Sequence, residues 1–159
     1  MNNEKPWYEE VVVPALLRHA RGTYGLAMHR ALAEAGYDDI PKNGMYVIGG
    51  MALNGHAIPL AELIKQLRVS KQAAGQLVDA LVLRGYLRRD EDPNDRRKSN
   101  VTLTERGRAA AVVQAAAREQ IDARLLARVR QEDVLRTRRT LAALIDIGRA
   151  DLEAEPDDL

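Results

Sequence analysis

The sequence predicts a mainly α-helical fold that carries one small β-hairpin. Apolar residues recur at three- and four-residue steps over most of the 159 residues, which is the spacing of a buried helix face. Between residues 86 and 103 this spacing gives way to two short runs typical of strands, separated by a polar turn. The length suits a single domain, and 46% hydrophobic with 30% charged residues is typical of a packed globule.

Composition excludes several classes of site. The chain has no cysteine, so disulfides, cysteine-ligated metal centres and thiol chemistry are excluded. Its apolar runs fall short of the ~18 residues that span a membrane, and we expect a cytoplasmic protein with no membrane partner. The net charge of +1 neither indicates nor excludes binding to nucleic acid, so the distribution of charge has to decide.

The N-terminal third predicts two helices. Apolar residues at helical spacing favour a first helix over residues 7–36, which Pro14 either begins or kinks. A second, shorter helix is predicted from about Asn43 to Leu53. Gly49 and Gly50 lower its intrinsic helix propensity, and we expect them to allow close packing against a neighbouring helix.

Two short helices joined by a tight turn come next. The first, Pro59–Leu67, carries its apolar residues on one face, and Arg68-Val69 forms the turn. The hydroxyl of Ser70 can accept a free backbone N–H and so cap the second helix, which Gly85 ends. The predicted buried stripe of the second helix consists of Ala74, Leu77, Val78 and Leu81.

A β-hairpin is predicted directly after these helices. Its strands are Tyr86–Arg89 and Ser99–Leu103, and the charged turn Asp90–Lys98 joins them. Two short helices followed by a hairpin compose a winged helix-turn-helix, in which the second helix can enter the DNA major groove and the hairpin forms the wing. Residues 60–108 hold 11 Lys/Arg against 7 Asp/Glu, a local charge of +4, so positive charge gathers on this unit.

Two features of this unit are candidate DNA contacts. The second helix presents small and polar residues opposite its buried stripe, and Gln72 and Gln76 suit adenine edges. The wing turn concentrates basic residues that can enter an A·T-rich minor groove, and Asp95 can brace Arg97 or offset its charge. Either feature alone is usually only solvated surface, and their adjacency favours DNA binding. The predicted DNA-binding residues are Ser70, Lys71, Gln72, Gly75, Gln76, Arg96, Arg97 and Lys98.

The C-terminal third predicts two further helices. Thr104 caps a long helix that runs to about Arg130, and Glu132 and Asp133 open a last helix through Gly148. Their apolar residues form a larger surface than one small winged unit covers, which predicts a homodimer. The predicted dimer contacts are Val113, Ile121, Leu125, Leu141, Leu144 and Ile145.

Several motifs stand at spacings typical of one known family. The most specific are Asp95-x-Arg97 in the wing and Leu103-Thr104 after it, and the likeness is densest from about Ile40 to Arg108. The fuller set is Pro59-Leu60-Ala61-Glu62-Leu63, Val69-Ser70-Lys71, Leu77-Val78-Asp79-Ala80-Leu81, Arg84-Gly85-Tyr86-Leu87, Asp92-Pro93-Asn94-Asp95-Arg96-Arg97 and Leu103-Thr104-Glu105-Arg106-Gly107. With these motifs the sequence resembles the MarR (multiple antibiotic resistance regulator) family of bacterial transcription factors.

The resemblance implies a single domain in which residues 40–108 form a DNA-binding lobe and residues 7–36 and 105–150 form dimerisation helices. It implies a homodimer whose first and last helices interleave, so that two lobes read a pseudo-palindromic operator in double-stranded DNA, with Arg97 in the minor groove. The chain departs from common members at Ala73-Ala74-Gly75, where a bulkier or hydroxylated residue often stands, so the operator sequence does not follow.

The resemblance also implies a repressor that releases its operator when a small aromatic acid or phenolic compound binds between the dimer helices and the lobe. We expect no cofactor. The candidate effector residues are His19, Tyr24, Met28 and His29. The alternative is that the two histidines make ordinary hydrogen bonds, while Tyr24 and Met28 belong to the core.

Other classes of function find less support. An enzyme is not indicated, because the sequence lacks a nucleophile-elbow glycine pattern, a phosphate loop and a paired-histidine motif. The histidines His19, His29 and His56 are scattered, so no metal site is predicted. A winged-helix module that binds protein stays open, because a fold alone does not fix function, although the basic run Arg96–Lys98 argues against it.

Overall fold

The computed structural model describes residues 5–154, and the side chains of residues 5–151. The chain divides into two compact units, Met1–Glu119 and Gln120–Leu159. The described residues are mainly helical with one small antiparallel sheet, which confirms the predicted fold class. In chain order the elements are a 3-10 turn (Trp7–Glu9), α1 (Val13–Glu34), α2 (Gly44–Asn54), β1 (Ile58–Pro59), α3 (Leu60–Gln66), α4 (Lys71–Leu83), β2 (Leu87–Glu91), β3 (Ser99–Leu103), α5 (Glu105–Leu126) and α6 (Gln131–Ala154).

The first helix begins later than the sequence predicts. Helix α1 starts at Val13, with Pro14 in its first turn, where a missing N–H costs nothing. Pro14 therefore begins the helix and does not kink it. Residues 7–9 form a separate 3-10 turn, so the predicted start at residue 7 is wrong by six residues.

Close packing at the two glycines of α2 is confirmed at one and absent at the other. A Cβ added at Gly49 would stand 2.3 Å from Nε2 of Gln114, a buried side chain on α5 that donates a 3.0 Å hydrogen bond to the Met45 carbonyl. Gly49 therefore lets α2 and α5 approach each other. Nothing lies within 4 Å of a Cβ at Gly50, which is exposed.

The helix-turn-helix forms as predicted. The Ala73 N–H donates to the Ser70 hydroxyl at 3.2 Å, so Ser70 caps α4. Within the predicted stripe, Ala74, Val78 and Leu81 are fully buried, while Leu77 is half-buried at the edge of the core. The opposite face of α4 is consequently the one left to solvent.

The wing contains one strand more than the sequence predicts. Strand β3 lies between β2 and β1 in an antiparallel sheet, with Ile58 of β1 paired to Val101. A two-residue strand is too short to show an alternating pattern, which explains why β1 was missed. Strand β2 also runs two residues further, to Glu91, so the predicted turn is shortened to residues 92–98.

The second unit is described from Gln120 to residue 154. Helix α5 ends at Leu126, four residues before its predicted end, and Arg130 pairs with Asp133 at 3.2 Å where α6 begins. None of the described side chains of α6 is buried. Among the predicted dimer contacts, Leu125, Leu144 and Ile145 are exposed, while Val113, Ile121 and Leu141 are half-buried.

None of the helices in the described part of the chain is both long and apolar enough to cross a membrane.

Candidate nucleic-acid interface

The predicted reading face of α4 is open to solvent. Ser70, Lys71, Gln72 and Gln76 are all exposed, so their hydroxyl, ammonium and amide groups are available to a partner. Nothing lies within 4 Å of a Cβ at Gly75, which leaves the backbone approachable there. The structure therefore gathers the five predicted helix residues on one accessible surface.

The wing turn is held in shape by Asp92, which sequence reasoning overlooked as a support. Its Oδ1 accepts the Asn94 N–H at 2.8 Å and the Asp95 N–H at 3.3 Å, and its Oδ2 accepts the Asn100 amide at 3.3 Å. These hydrogen bonds, that from Asn94 above all, lower the pKa of Asp92 from its ordinary 3.8. The signal was present in the sequence, because an aspartate followed by Pro-Asn commonly bonds the backbone of its own turn.

Asp95 braces Arg97 as predicted. The Asp95 Oδ1 accepts the Arg97 backbone N–H at 3.1 Å and its Nε at 3.2 Å. The Arg97 side chain is nevertheless 90% exposed. The guanidinium is therefore oriented at its stem while its terminal nitrogens face solvent. Arg96 and Lys98 are exposed beside it.

An ion pair joins the wing to α4. Arg89 on β2 places a terminal nitrogen 2.7 Å from Asp79 Oδ1. Asp79 follows Gln72 and Gln76 at helical spacing, so it belongs to the same side of α4 as the reading face. The pair therefore connects the base of the wing to that face, and neither residue was predicted as part of the site.

A second polar cluster holds the base of the unit. The Tyr86 hydroxyl donates to Asp39 Oδ1, and Arg106 donates to the same oxygen at 2.9 Å and to the Tyr86 oxygen at 3.1 Å. The cluster joins the loop before α2, the residue before β2 and the first turn of α5. The hydrogen bond from Tyr86, followed by the charge of Arg106, lowers the pKa of Asp39, while burial and then Asp39 raise the pKa of Tyr86.

The structure does not bring the four candidate effector residues together. His19 and His29 are exposed, Met28 is a core residue, and Tyr24 is half-buried against the core. The packing of Met28 and Tyr24 agrees with the alternative that both belong to the core, and their contact with an effector stays a prediction. A cavity of about 520 Å³ between α1 and α2 has His29 in its wall. Its other walls include Arg18, Arg21, Lys42 and Tyr46.

The Arg21 guanidinium lies 4.3 Å from the ring centroid of Tyr46, a distance at which a cation and an aromatic ring attract each other. The wall of this cavity therefore combines positive charge with an aromatic ring.

Solved structures of known proteins share the fold of this chain. The chain superposes on Streptococcus pneumoniae FabT in complex with DNA with a TM-score of 0.72 at 17% identity, covering 87% of this chain and 96% of that one. A mutant of E. coli MarR complexed with operator DNA superposes with a TM-score of 0.67 at 21% identity, covering 89% of this chain and 99% of that one. S. aureus MepR in its DNA-binding conformation superposes with a TM-score of 0.70 at 16% identity, covering 86% of this chain and 98% of that one.

The TM-scores show a shared fold, and at identities of 16% to 21% they show the fold alone. No curated protein sequence matches the chain. The sequence model of the MarR family matches residues 42–98, which contain α3, α4 and the wing turn described above. The chain is therefore similar to the MarR family in the sequence of residues 42–98, and it shares the winged-helix fold of the DNA complexes of FabT and MarR.

Proposed function

We propose that the chain is a sequence-specific DNA-binding transcriptional regulator that acts as a homodimer on a pseudo-palindromic operator. One observation carries the proposal: an exposed polar helix face and an exposed wing arginine belong to a single unit, which the Arg89–Asp79 pair ties together. The DNA complexes of FabT and of MarR, which share this fold, support it.

In this proposal α4 enters the major groove and the wing lies over the adjacent minor groove. Gln72 and Gln76 offer amides that can pair with adenine edges, and Lys71 at the start of the helix suits a phosphate. Arg97 enters the minor groove, where A·T-rich sequence concentrates negative potential. Base readout and electrostatic attraction are thus divided between the helix and the wing.

The proposed homodimer accounts for apolar surface that a single chain leaves in water. Leu125, Leu144 and Ile145 are exposed although each is a large apolar side chain. A two-fold dimer would bury such a surface against its own copy and would present two copies of α4 to half-sites about 34–36 Å apart.

A small aromatic or phenolic acid is the proposed effector, and repression is the proposed mode of regulation. The cavity beside His29 supports an anionic aromatic compound, because Arg18, Arg21 and Lys42 can bind a carboxylate and Tyr46 can pack on a ring. An effector that prefers the state unable to bind DNA would lower operator affinity by that difference in affinity.

Fluorescence anisotropy tests the central proposal. Purified protein is titrated onto duplex DNA from upstream of its own gene and onto a shuffled duplex of the same composition, at several salt concentrations. We expect selective binding whose affinity falls steeply with salt, because phosphate contacts release counterions. Equal affinity for both duplexes at every salt concentration would reject sequence-specific binding and would favour a module that binds protein.

A further inference from the structure

A groove on the first unit is lined mainly by apolar residues. It has a volume of about 560 Å³ and lies between α2, the loop before β1, β3 and α5. Met51, Leu103 and Ala111 are among its walls. At its rim Leu53 is 77% exposed and Val112 is 69% exposed. Large apolar side chains on both sides of one groove favour an occupant that removes them from water.

The charge of this groove is positive. Among the described residues of its wall, Arg108 and His56 are ionisable and none carries a carboxylate. One terminal nitrogen of Arg108 donates to the Leu103 carbonyl at 2.8 Å, which fixes the side chain at the groove. A suitable occupant therefore combines apolar side chains with negative charge.

The N-terminal segment of this chain has that chemistry. Trp7 is 72% and Tyr8 53% exposed, and their rings stack edge to face with centroids 5.9 Å apart. The 3-10 turn that carries them contains no buried residue. Glu9 and Glu10 follow directly, and Val12 and Val13 are exposed at the start of α1. The segment thus presents aromatic and aliphatic side chains beside two carboxylates.

We propose that residues 7–13 of a second copy of this chain occupy the groove. Trp7 and Tyr8 pack against the apolar walls, and the carboxylates of Glu9 and Glu10 face Arg108 and His56. In a two-fold dimer the exchange is reciprocal, so two segments fill two grooves. Tryptophan and tyrosine are also the residues that most often anchor protein interfaces. The inference deepens the proposed homodimer and rests on it.

The fluorescence of Trp7 reports this contact directly, because Trp7 is the one tryptophan in the sequence. We expect blue-shifted emission and protection from iodide quenching at concentrations where sedimentation shows a dimer. Both properties should revert on dilution to monomer. Val112→Arg places a charge at the exposed groove rim and should weaken dimerisation by at least about tenfold, with emission shifted to the red. Leu83→Arg, at a position on α4 that is 86% exposed, is the matched control and should leave the emission unchanged.

Mixing two variants decides whether the segment crosses to the partner. The Trp7→Phe variant keeps the groove intact but has no tryptophan fluorescence. The Val112→Arg variant keeps Trp7, but its groove is blocked by the introduced arginine. In a mixed dimer the Trp7 of the second variant meets the intact groove of the first. We therefore expect mixing to restore the blue shift and the protection from quenching.

Three outcomes would overturn this inference, and the first two do so without overturning the proposed homodimer. A sedimenting dimer in which Trp7 stays fully quenchable overturns the groove contact and leaves the homodimer standing. If the emission of the unchanged protein is blue-shifted but mixing the two variants does not restore the blue shift, the segment packs against the groove of its own chain. This result overturns the crossed arrangement. A monomer at all concentrations, with exposed Trp7, overturns both the inference and the proposed homodimer.

Discussion

Asp79 on α4 and Arg89 on β2 form an ion pair with a nitrogen–oxygen distance of 2.7 Å, which links α4 to the wing. Both side chains are partly exposed, so the pair contributes little to folding, on the order of 0–1 kcal/mol. Its consequence is geometric. A wing held at a fixed angle to α4 lets the two proposed DNA contacts form together, without a separate entropic cost for ordering the wing.

Neutralising this pair should therefore affect DNA binding more than stability. We expect Asp79→Asn and Arg89→Gln each to weaken operator binding, and the double variant to lose less than the sum of the two, because the residues act as a pair. Anisotropy titrations and urea unfolding of all four proteins measure both effects. Arg88→Gln is the control, since Arg88 pairs at 2.9 Å with Asp90 of its own strand. Strictly additive losses would contradict the coupling.

Arg97 should contribute to affinity in a sequence-dependent way. Its stem is braced by Asp95 while the guanidinium stays exposed, so Arg97→Ala removes a pre-oriented cation without disturbing the fold. We expect a loss of about 1–3 kcal/mol in operator binding, largest for operators with A·T-rich flanks. Arg138→Ala, which changes an exposed arginine on α6, is the matched control. An equal loss on A·T-rich and G·C-rich flanks would exclude the minor-groove role.

Local signals predicted much of this unit. The hydroxyl cap at Ser70, the apolar stripe of α4 and the polar turn of the wing each depend on residues close in sequence, and each was found. The contacts that hold the unit together were not predicted. Asp39 meets Tyr86 and Arg106 across 47 and 67 positions, and Gln114 reaches Met45 across 69. Such pairings depend on the tertiary fold, which periodicity does not encode.

Gly49 and Gly50 are neighbours that should respond to alanine in opposite directions. A Cβ at Gly49 meets the Gln114 amide at 2.3 Å, so Gly49→Ala should displace the bond to the Met45 carbonyl and destabilise the chain by about 1–3 kcal/mol. Gly50→Ala meets open space in a helix and should stabilise it by about 0.5–1 kcal/mol. Urea unfolding measures both. Adding Gln114→Ala to Gly49→Ala should cost less than the two single losses combined, and full additivity would argue against the steric explanation.

The Asp39–Tyr86–Arg106 cluster should make the stability of the chain depend on pH at both extremes. The hydrogen bond from Tyr86 and the charge of Arg106 lower the pKa of Asp39 in the folded chain, so its contribution is present above the ordinary value of 3.8 and is lost as pH falls through the folded value. Burial and the bond to Asp39 raise the pKa of Tyr86, so its contribution is present below 10.0 and is lost as pH rises through the folded value.

The midpoint of urea unfolding, measured from acid to alkaline pH, checks both the loss of stability at low pH (the acid limb) and the loss at high pH (the alkaline limb). Asp39→Asn should flatten the acid limb, leaving a residual slope because the pKa of Asp92 is also lowered. Tyr86→Phe should flatten the alkaline limb, and Tyr37→Phe, which changes the ring that packs edge to face against Tyr86 at 6.3 Å, is the control that should keep it. If Tyr86→Phe retained the full alkaline loss, another group would be responsible, and the cluster would have no role in that transition.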